Sequence, residues 1–202
     1  MKLNKFEFFL MNNPMRRWLQ KNIELKTFKE FLGKHNFSLE GKVILDAGCG
    51  SGYSTKLINQ FSPAELLGFD LMPSQIKKAK QKYPELNFFV GNVLETQLSS
   101  NKFDAVFVFG ILHHIPQWKD AITELYRVLK PGGTLLVEDL NKDASRFFAT
   151  YFKLDHPPEA YFTWEEFTDH LRDTGFVILE QKRIISNGIG SFLCLKNDAN
   201  ND

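Results

Sequence analysis

The run Asp46-Ala47-Gly48-Cys49-Gly50-Ser51-Gly52 puts glycines at alternate positions just behind an acid. Such a run lets the backbone turn tightly and lets a ligand approach it with no Cβ in the way. N–H groups at the start of a following helix would favour a carboxylate or phosphate. Asp46 would repel a pyrophosphate, yet it suits a ligand that carries an ammonium group beside its carboxylate. The bland alternative is a plain strand-to-helix turn. Twenty residues after Gly50, Asp70 closes an apolar run. In a doubly wound sheet an acid there accepts the hydrogens of both ribose hydroxyls, although it could simply cap the next helix. Asn92-Val93 suits an adenine, the side-chain oxygen taking the exocyclic amine and a backbone N–H reaching a ring nitrogen; Asn92 alone serves as readily in a turn. His113 and His114 offer imidazoles, which titrate near working pH and could take a proton from a nucleophile. They could equally pack or cap the next helix.

These residues fall between elements that the hydrophobic pattern marks out. Val43–Ala47 reads as a buried strand, and Leu66–Asp70, Asn87–Val90, Phe103–Phe109 and Thr134–Glu138 as four more strands. Helical stretches separate them: one through about Phe61, one that Ser74 can cap and Pro84 stops, and one from Trp118 to Leu129 closed by Lys130-Pro131-Gly132-Gly133. Thr163, ahead of Glu165 and Glu166, opens a last helix to about Asp173, which Gly175 ends. Phe176–Ile184 and Ser191–Lys196 face each other across Ser186-Asn187-Gly188, a hairpin connection. Alternating strands and helices predict an α/β fold, a Rossmann-like doubly wound parallel sheet with one antiparallel strand at its close. Residues 1–40 read as an N-terminal helical cap before a domain spanning 41–197. Residues 139–162 read as a lid-like insert rich in aromatics, and 198–202 as a disordered tail.

Composition narrows the function. Lys plus Arg number 25 against 24 Asp plus Glu, a net charge of +1 that argues against an electrostatic grip on nucleic acid. Twenty of the 202 residues are Phe, a surplus that would thicken a core or line a greasy cavity. Two isolated cysteines, Cys49 and Cys194, support neither a disulfide framework nor a metal site. Glu7 interrupts the first apolar run, and no stretch reaches the ~18 apolar residues of a membrane span, so the expectation is a cytoplasmic protein without stable membrane insertion.

Taken in order, VILDAGCGSG, LLGFD, VGNVLE, FDAVFVFGILHHI and RVLKPGG resemble the class I S-adenosylmethionine-dependent methyltransferases. Within these they look like the small-molecule enzymes of the ubiquinone/menaquinone biosynthesis type. The resemblance covers roughly residues 43–140 and implies a seven-stranded sheet of order 3-2-1-4-5-7-6 with the last strand antiparallel. It implies S-adenosyl-L-methionine as cofactor and S-adenosyl-L-homocysteine as product. Asp46 and the loop Gly48, Cys49 and Gly50 would hold the methionine portion, Asp70 the ribose, and Leu71 and Met72 the faces of the adenine. Asn92, where many relatives have Asp, and Val93 would read the adenine edge, and Gly110 would offer its backbone to the methionine amine. N-terminal helices commonly fold over the site in this family, which would bring Arg17 or Trp18 to the acceptor. The plainer reading is an amphipathic helix on the sheet edge. His156, in Asp155-His156-Pro157-Pro158, would point in from a lid or sit in a surface turn.

The aromatic surplus suggests a lipophilic or aromatic small-molecule acceptor. A nicotinamide dehydrogenase would use G-x-G-x-x-G, whereas the glycines here fall as G-x-G-x-G behind Asp46. A methyltransferase acting on the exocyclic amines of nucleic acid would show a Pro-Pro-aromatic motif after the fourth strand, where this chain has Phe-Gly-Ile-Leu-His-His. A non-catalytic module of the same fold, kept to bind a cofactor or a protein, is the other alternative.

Overall fold

The computed structural model describes residues 13–152 and 157–197. His156, Asp155, residues 1–12 and the tail 198–202 lie outside them. The chain enters on helix α1 (Pro14–Leu19), capped by Asn13, whose Oδ1 accepts the Arg16 amide at 2.8 Å. A π-turn over Gln20–Glu24 carries it into α2 (Leu25–Lys34). Seven strands follow: β1 (Val43–Ala47), β2 (Glu65–Asp70), β3 (Asn87–Val90), β4 (Phe103–Phe109), β5 (Leu129–Leu140), β6 (Phe176–Ile184) and β7 (Ile189–Lys196). Between them lie α3 (Tyr53–Ile58), α4 (Pro73–Lys82), α5 (Trp118–Val128), α6 (Lys142–Phe152) and α7 (Trp164–Asp173).

The sheet order is β3-β2-β1-β4-β5-β7-β6, with β7 antiparallel to both of its neighbours, as the resemblance implied. The central strands are apolar on both faces because helices cover both. Alternation then sorts their side chains. Leu45, Ala47, Val106, Val108, Leu135 and Val137 face α5 and α7, with Ile122, Trp164 and Phe167 in the same cluster. Ile44, Ala105, Phe107 and Leu136 face the other way, against Leu25, Phe28, Phe31 and Leu32 of α2 and Leu57 of α3. The second half of the N-terminal segment is therefore part of the main core. No helix among the described residues is long and apolar enough to cross a membrane.

Local chemistry explains where elements start and differ from expectation. The Thr163–Glu166 capping box is formed at α7, and Gly175 closes that helix at φ +104°. Ser74 does not cap α4: Met72 does, with Pro73 in the first helical position and the Met72 amide held by Asp70 at 2.8 Å. The Lys130-Pro131-Gly132-Gly133 run lies within β5. Phe103 pairs with Leu129 and Ala105 next with Thr134, so the extra residues loop out of the ladder. Proline has no N–H for that ladder and Gly132 takes φ +71° there. Residues 139–162 contain an ordered helix, α6, whose start is capped by Asn141 accepting the Ala144 amide at 3.0 Å.

Candidate functional site

β1 delivers the chain to the glycine loop at the C-terminal edge of the sheet, where doubly wound folds bind ligands. The Gly48 and Cys49 amides both donate to the Phe69 carbonyl, at 2.9 and 2.8 Å. The Gly50 amide donates to Asp70 Oδ2 at 3.0 Å. These three N–H groups are used inside the protein and are not exposed to receive an anion. Buried amides must find partners, and β2 supplies them next door. Gly48 has φ +77°, and a Cβ there would lie 2.6 Å from Ile111 Cγ2, so no other residue fits. Around a Cβ built at Gly50 there is open space, a bare stretch of backbone that a ligand can cover.

Asp46 is fully buried and its Oδ2 accepts from Ser54 Oγ and Thr55 Oγ1, each at 2.6 Å. Its Oδ1 is buried with no donor among the described residues, and burial pushes the carboxyl up to about 6. Asp70 is also buried, each oxygen braced by one backbone amide, from Gly50 and Met72. Burial raises its carboxyl, and those two amides pull the other way. Burial, together with Asp46 and Asp70, keeps the Cys49 thiol protonated.

A pocket of about 290 Å³ opens over this loop. Gly48, Cys49, Gly50 and Ser54 form one side of it, and Gly110, Ile111, His113 and His114 another. Arg17 and Leu19 of the N-terminal helix roof it, and Arg16, Glu24, Glu138, Leu140, Phe148 and Ile189 complete its floor and wall. Of the residues singled out from sequence, the structure gathers Gly48, Cys49, Gly50, Gly110, Arg17, His113 and His114 around this space. Asp46 stands one layer behind Ser54. Asp70, Leu71, Met72, Asn92 and Val93 lie along the sheet edge beyond the loop, outside the pocket wall. Leu71 is exposed and Val93 buried, while Asn92 Oδ1 accepts the Leu94 amide at 3.1 Å in a local turn.

Trp18 is a correction. It is 58% exposed and absent from the pocket wall, because its helix turns that face to solvent. Arg17 does reach in, its guanidinium 5.5 Å from the centre of the Tyr53 ring.

Sequence reasoning missed the charged floor of the pocket. Arg16 pairs with Glu24 and reaches toward the Phe109 carbonyl at 3.5 Å. Burial opposes the Arg16 charge, but Glu24, Glu138 and Asp139 more than offset it. His113 Nδ1 lies 2.5 Å from Asp139 Oδ1. Asp139 also accepts the Leu112 and Leu140 amides, both at 2.7 Å, which fixes the orientation of the His113 ring. The signal available was the pair Glu138-Asp139 at the end of an otherwise apolar strand, Leu135-Leu136-Val137.

The residues present fit S-adenosylmethionine: an orphaned acid oxygen on Asp46, uncovered backbone at Gly50, and two braced Asp70 oxygens that each retain a lone pair.

Comparison with known proteins agrees. Residues 45–137 match the family described as Methyltransferase domain. The chain is 29% identical to a sterol 24-C-methyltransferase of Kluyveromyces lactis over 162 residues, covering 73% of this chain and 44% of that protein. It is 29% identical to the O-methyltransferase resE of Aspergillus sclerotiorum over 169 residues, covering 77% of this chain and 62% of that one. The chain thus spans less than two thirds of the length of either relative. A solved S-adenosylmethionine-dependent methyltransferase from Aquifex aeolicus superposes with a TM-score of 0.73 at 20% identity, covering 96% of this chain and all of that one. Residues 45–137 thus resemble a methyltransferase domain, on a sheet of the order implied by the resemblance to the class I S-adenosylmethionine-dependent enzymes.

Proposed function

We propose that this chain transfers a methyl group from S-adenosylmethionine to a small, lipophilic or aromatic acceptor. The observation that carries the reading is the pocket itself. It joins the glycine loop to a wall of Leu19, Phe109, Ile111, Leu140, Phe148 and Ile189, under a helical roof. An apolar cavity with a few convergent polar groups suits a small organic molecule. The names of the sterol and O-methyltransferase relatives fit such an acceptor, and a quinone-precursor type of acceptor falls in the same class.

When bound, S-adenosylmethionine supplies a methyl group already activated by a sulfonium charge. The protein's task is then positioning and the exclusion of water. Asp46, through its free Oδ1 and through Ser54, and the open backbone at Gly50 and Gly110 would hold the methionine end. Asp70 would accept from the ribose hydroxyls, Leu71 and Met72 would flank the adenine, and Asn92 and Val93 would meet its edge. Arg17 and the N-terminal helix would close over the acceptor. His113, oriented by Asp139, and His114 stand on the acceptor side as candidate proton acceptors.

The test is calorimetric titration of S-adenosylmethionine and S-adenosylhomocysteine into the full chain, with NAD as control. Micromolar binding of the first two and none of NAD is the expected result, followed by a screen of lipophilic phenols, amines and thiols. No binding of either would overturn the enzyme reading in favour of a non-catalytic module of the same fold.

A further inference from the structure

The floor of the pocket contains two buried acids to which the cofactor reading gives no role. Glu24 ends the π-turn and is the one buried residue of that turn, whose wider winding swings it inward. Glu138 is 4% exposed near the C-terminal end of β5. Both line the pocket. Glu24 Oε1 is taken by Arg16, but Glu24 Oε2 and Glu138 Oε2 are both buried with no N–H or O–H donor among the described residues.

Two ionised carboxylates do not share so dry a site, because each would face the other's charge without solvent. A single proton between them resolves the conflict, and the two side chains interact as hydrogen-bonding partners. Burial first, and Glu24 second, push the Glu138 carboxyl well above its ordinary range. The charged groups facing the pair are Arg16 from α1 and Asp139 from β5 itself, with His113 and His114 on the adjacent wall. Asp139 is occupied by His113 and two backbone amides. A purely structural clasp for the N-terminal helix would need only the Arg16–Glu24 pair. Glu138 adds a second buried acid that must share the Arg16 cation with Glu24, and such groups mark functional sites.

We propose that Glu24 and Glu138 form a proton-sharing acid pair that binds the methyl acceptor through an O–H or N–H and takes up that proton during transfer. The inference rests on the function proposed above and names the class of acceptor: a hydroxyl or amine on an apolar body. The acceptor's oxygen or nitrogen lone pair forms the bond to the methyl carbon as the carbon–sulfur bond breaks with its electrons left on sulfur. The O–H or N–H proton passes to the ionised member of the pair, which then holds two protons and returns one to water.

The experiment titrates phenol, benzylamine and toluene into the full chain loaded with S-adenosylhomocysteine, in two buffers of different ionisation enthalpy. Phenol or benzylamine should bind at least tenfold more tightly than toluene, with an apparent enthalpy that differs between the buffers and so reports a net proton change. Glu138→Gln and Glu24→Gln should each abolish that advantage and leave toluene binding unchanged. Probes that bind no better than toluene, or an advantage that survives in either folded variant, would overturn the proposal. If one variant fails to fold, the other decides. Failure of the unaltered protein to bind S-adenosylhomocysteine would instead strike the cofactor reading, and the same three probes on the free protein would still judge the acid pair.

Discussion

Asp70 is the sharpest point at which to test the site, because its side chain joins the two motifs that flank the proposed ribose. It is 7% exposed, with Oδ2 accepting from Gly50 at 3.0 Å and Oδ1 from Met72 at 2.8 Å. Asp70→Ala removes both acceptors. A hydrogen bond to a charged group contributes about 1.5–3 kcal/mol, and water can reach part of the vacated space, so stability should fall by about 2–4 kcal/mol. The ribose hydroxyls would lose one charge-assisted site, about 1.5–3 kcal/mol, which weakens S-adenosylhomocysteine binding roughly 10- to 150-fold. Asp70→Asn separates the two effects. It keeps the shape and one carbonyl oxygen for the loop, so the fold should suffer less while ligand affinity still drops. Urea unfolding gives the first quantity and calorimetric titration the second. An Asp70→Ala protein that is folded and binds S-adenosylhomocysteine within threefold of the original would refute the ribose role and leave Asp70 as a loop brace.

Other outcomes follow from the same geometry. Gly48→Ala should destabilise by about 2–5 kcal/mol, combining the left-handed backbone with a Cβ pressed into Ile111, and chemical denaturation measures it. Asp46, whose carboxyl shifts from 3.8 to about 6 on folding, makes the folded state the tighter proton binder. Its stabilising contribution is full below pH 4 and is lost as the pH rises through 6, a change of about 3 kcal/mol. Unfolding midpoints against pH should show this slope, and Asp46→Asn should flatten it. Thr163→Ala removes the capping box of α7 and should cost about 1 kcal/mol, read as a lower urea midpoint with an unchanged m-value.

Much of this architecture is written in local patterns. The mainly apolar runs Val43–Ala47 and Phe103–Phe109 are strands over those same residues, because a central parallel strand is covered on both faces, and Asn87–Val90 forms the expected edge strand. Thr163 with Glu166, and glycine at position 48, carry their geometry in the residue type itself. The alternation of strand and helix, with a closing hairpin, then confines the sheet to few orders. The charged floor of the pocket is of another kind. Arg16, Glu24 and Glu138 meet only because the N-terminal helix crosses the C-terminal ends of β4 and β5. The π-turn resets the phase of that helix, turning Glu24 inward, whereas Trp18 in the turn before faces water. A periodicity of 3.6 residues read from sequence does not anticipate that change of phase. Residue type and spacing thus determined the sheet, the glycine loop and the acid behind it. The docking of a distant helix alone decided which charges share a pocket, because burial and pairing over long sequence separations are properties of packing.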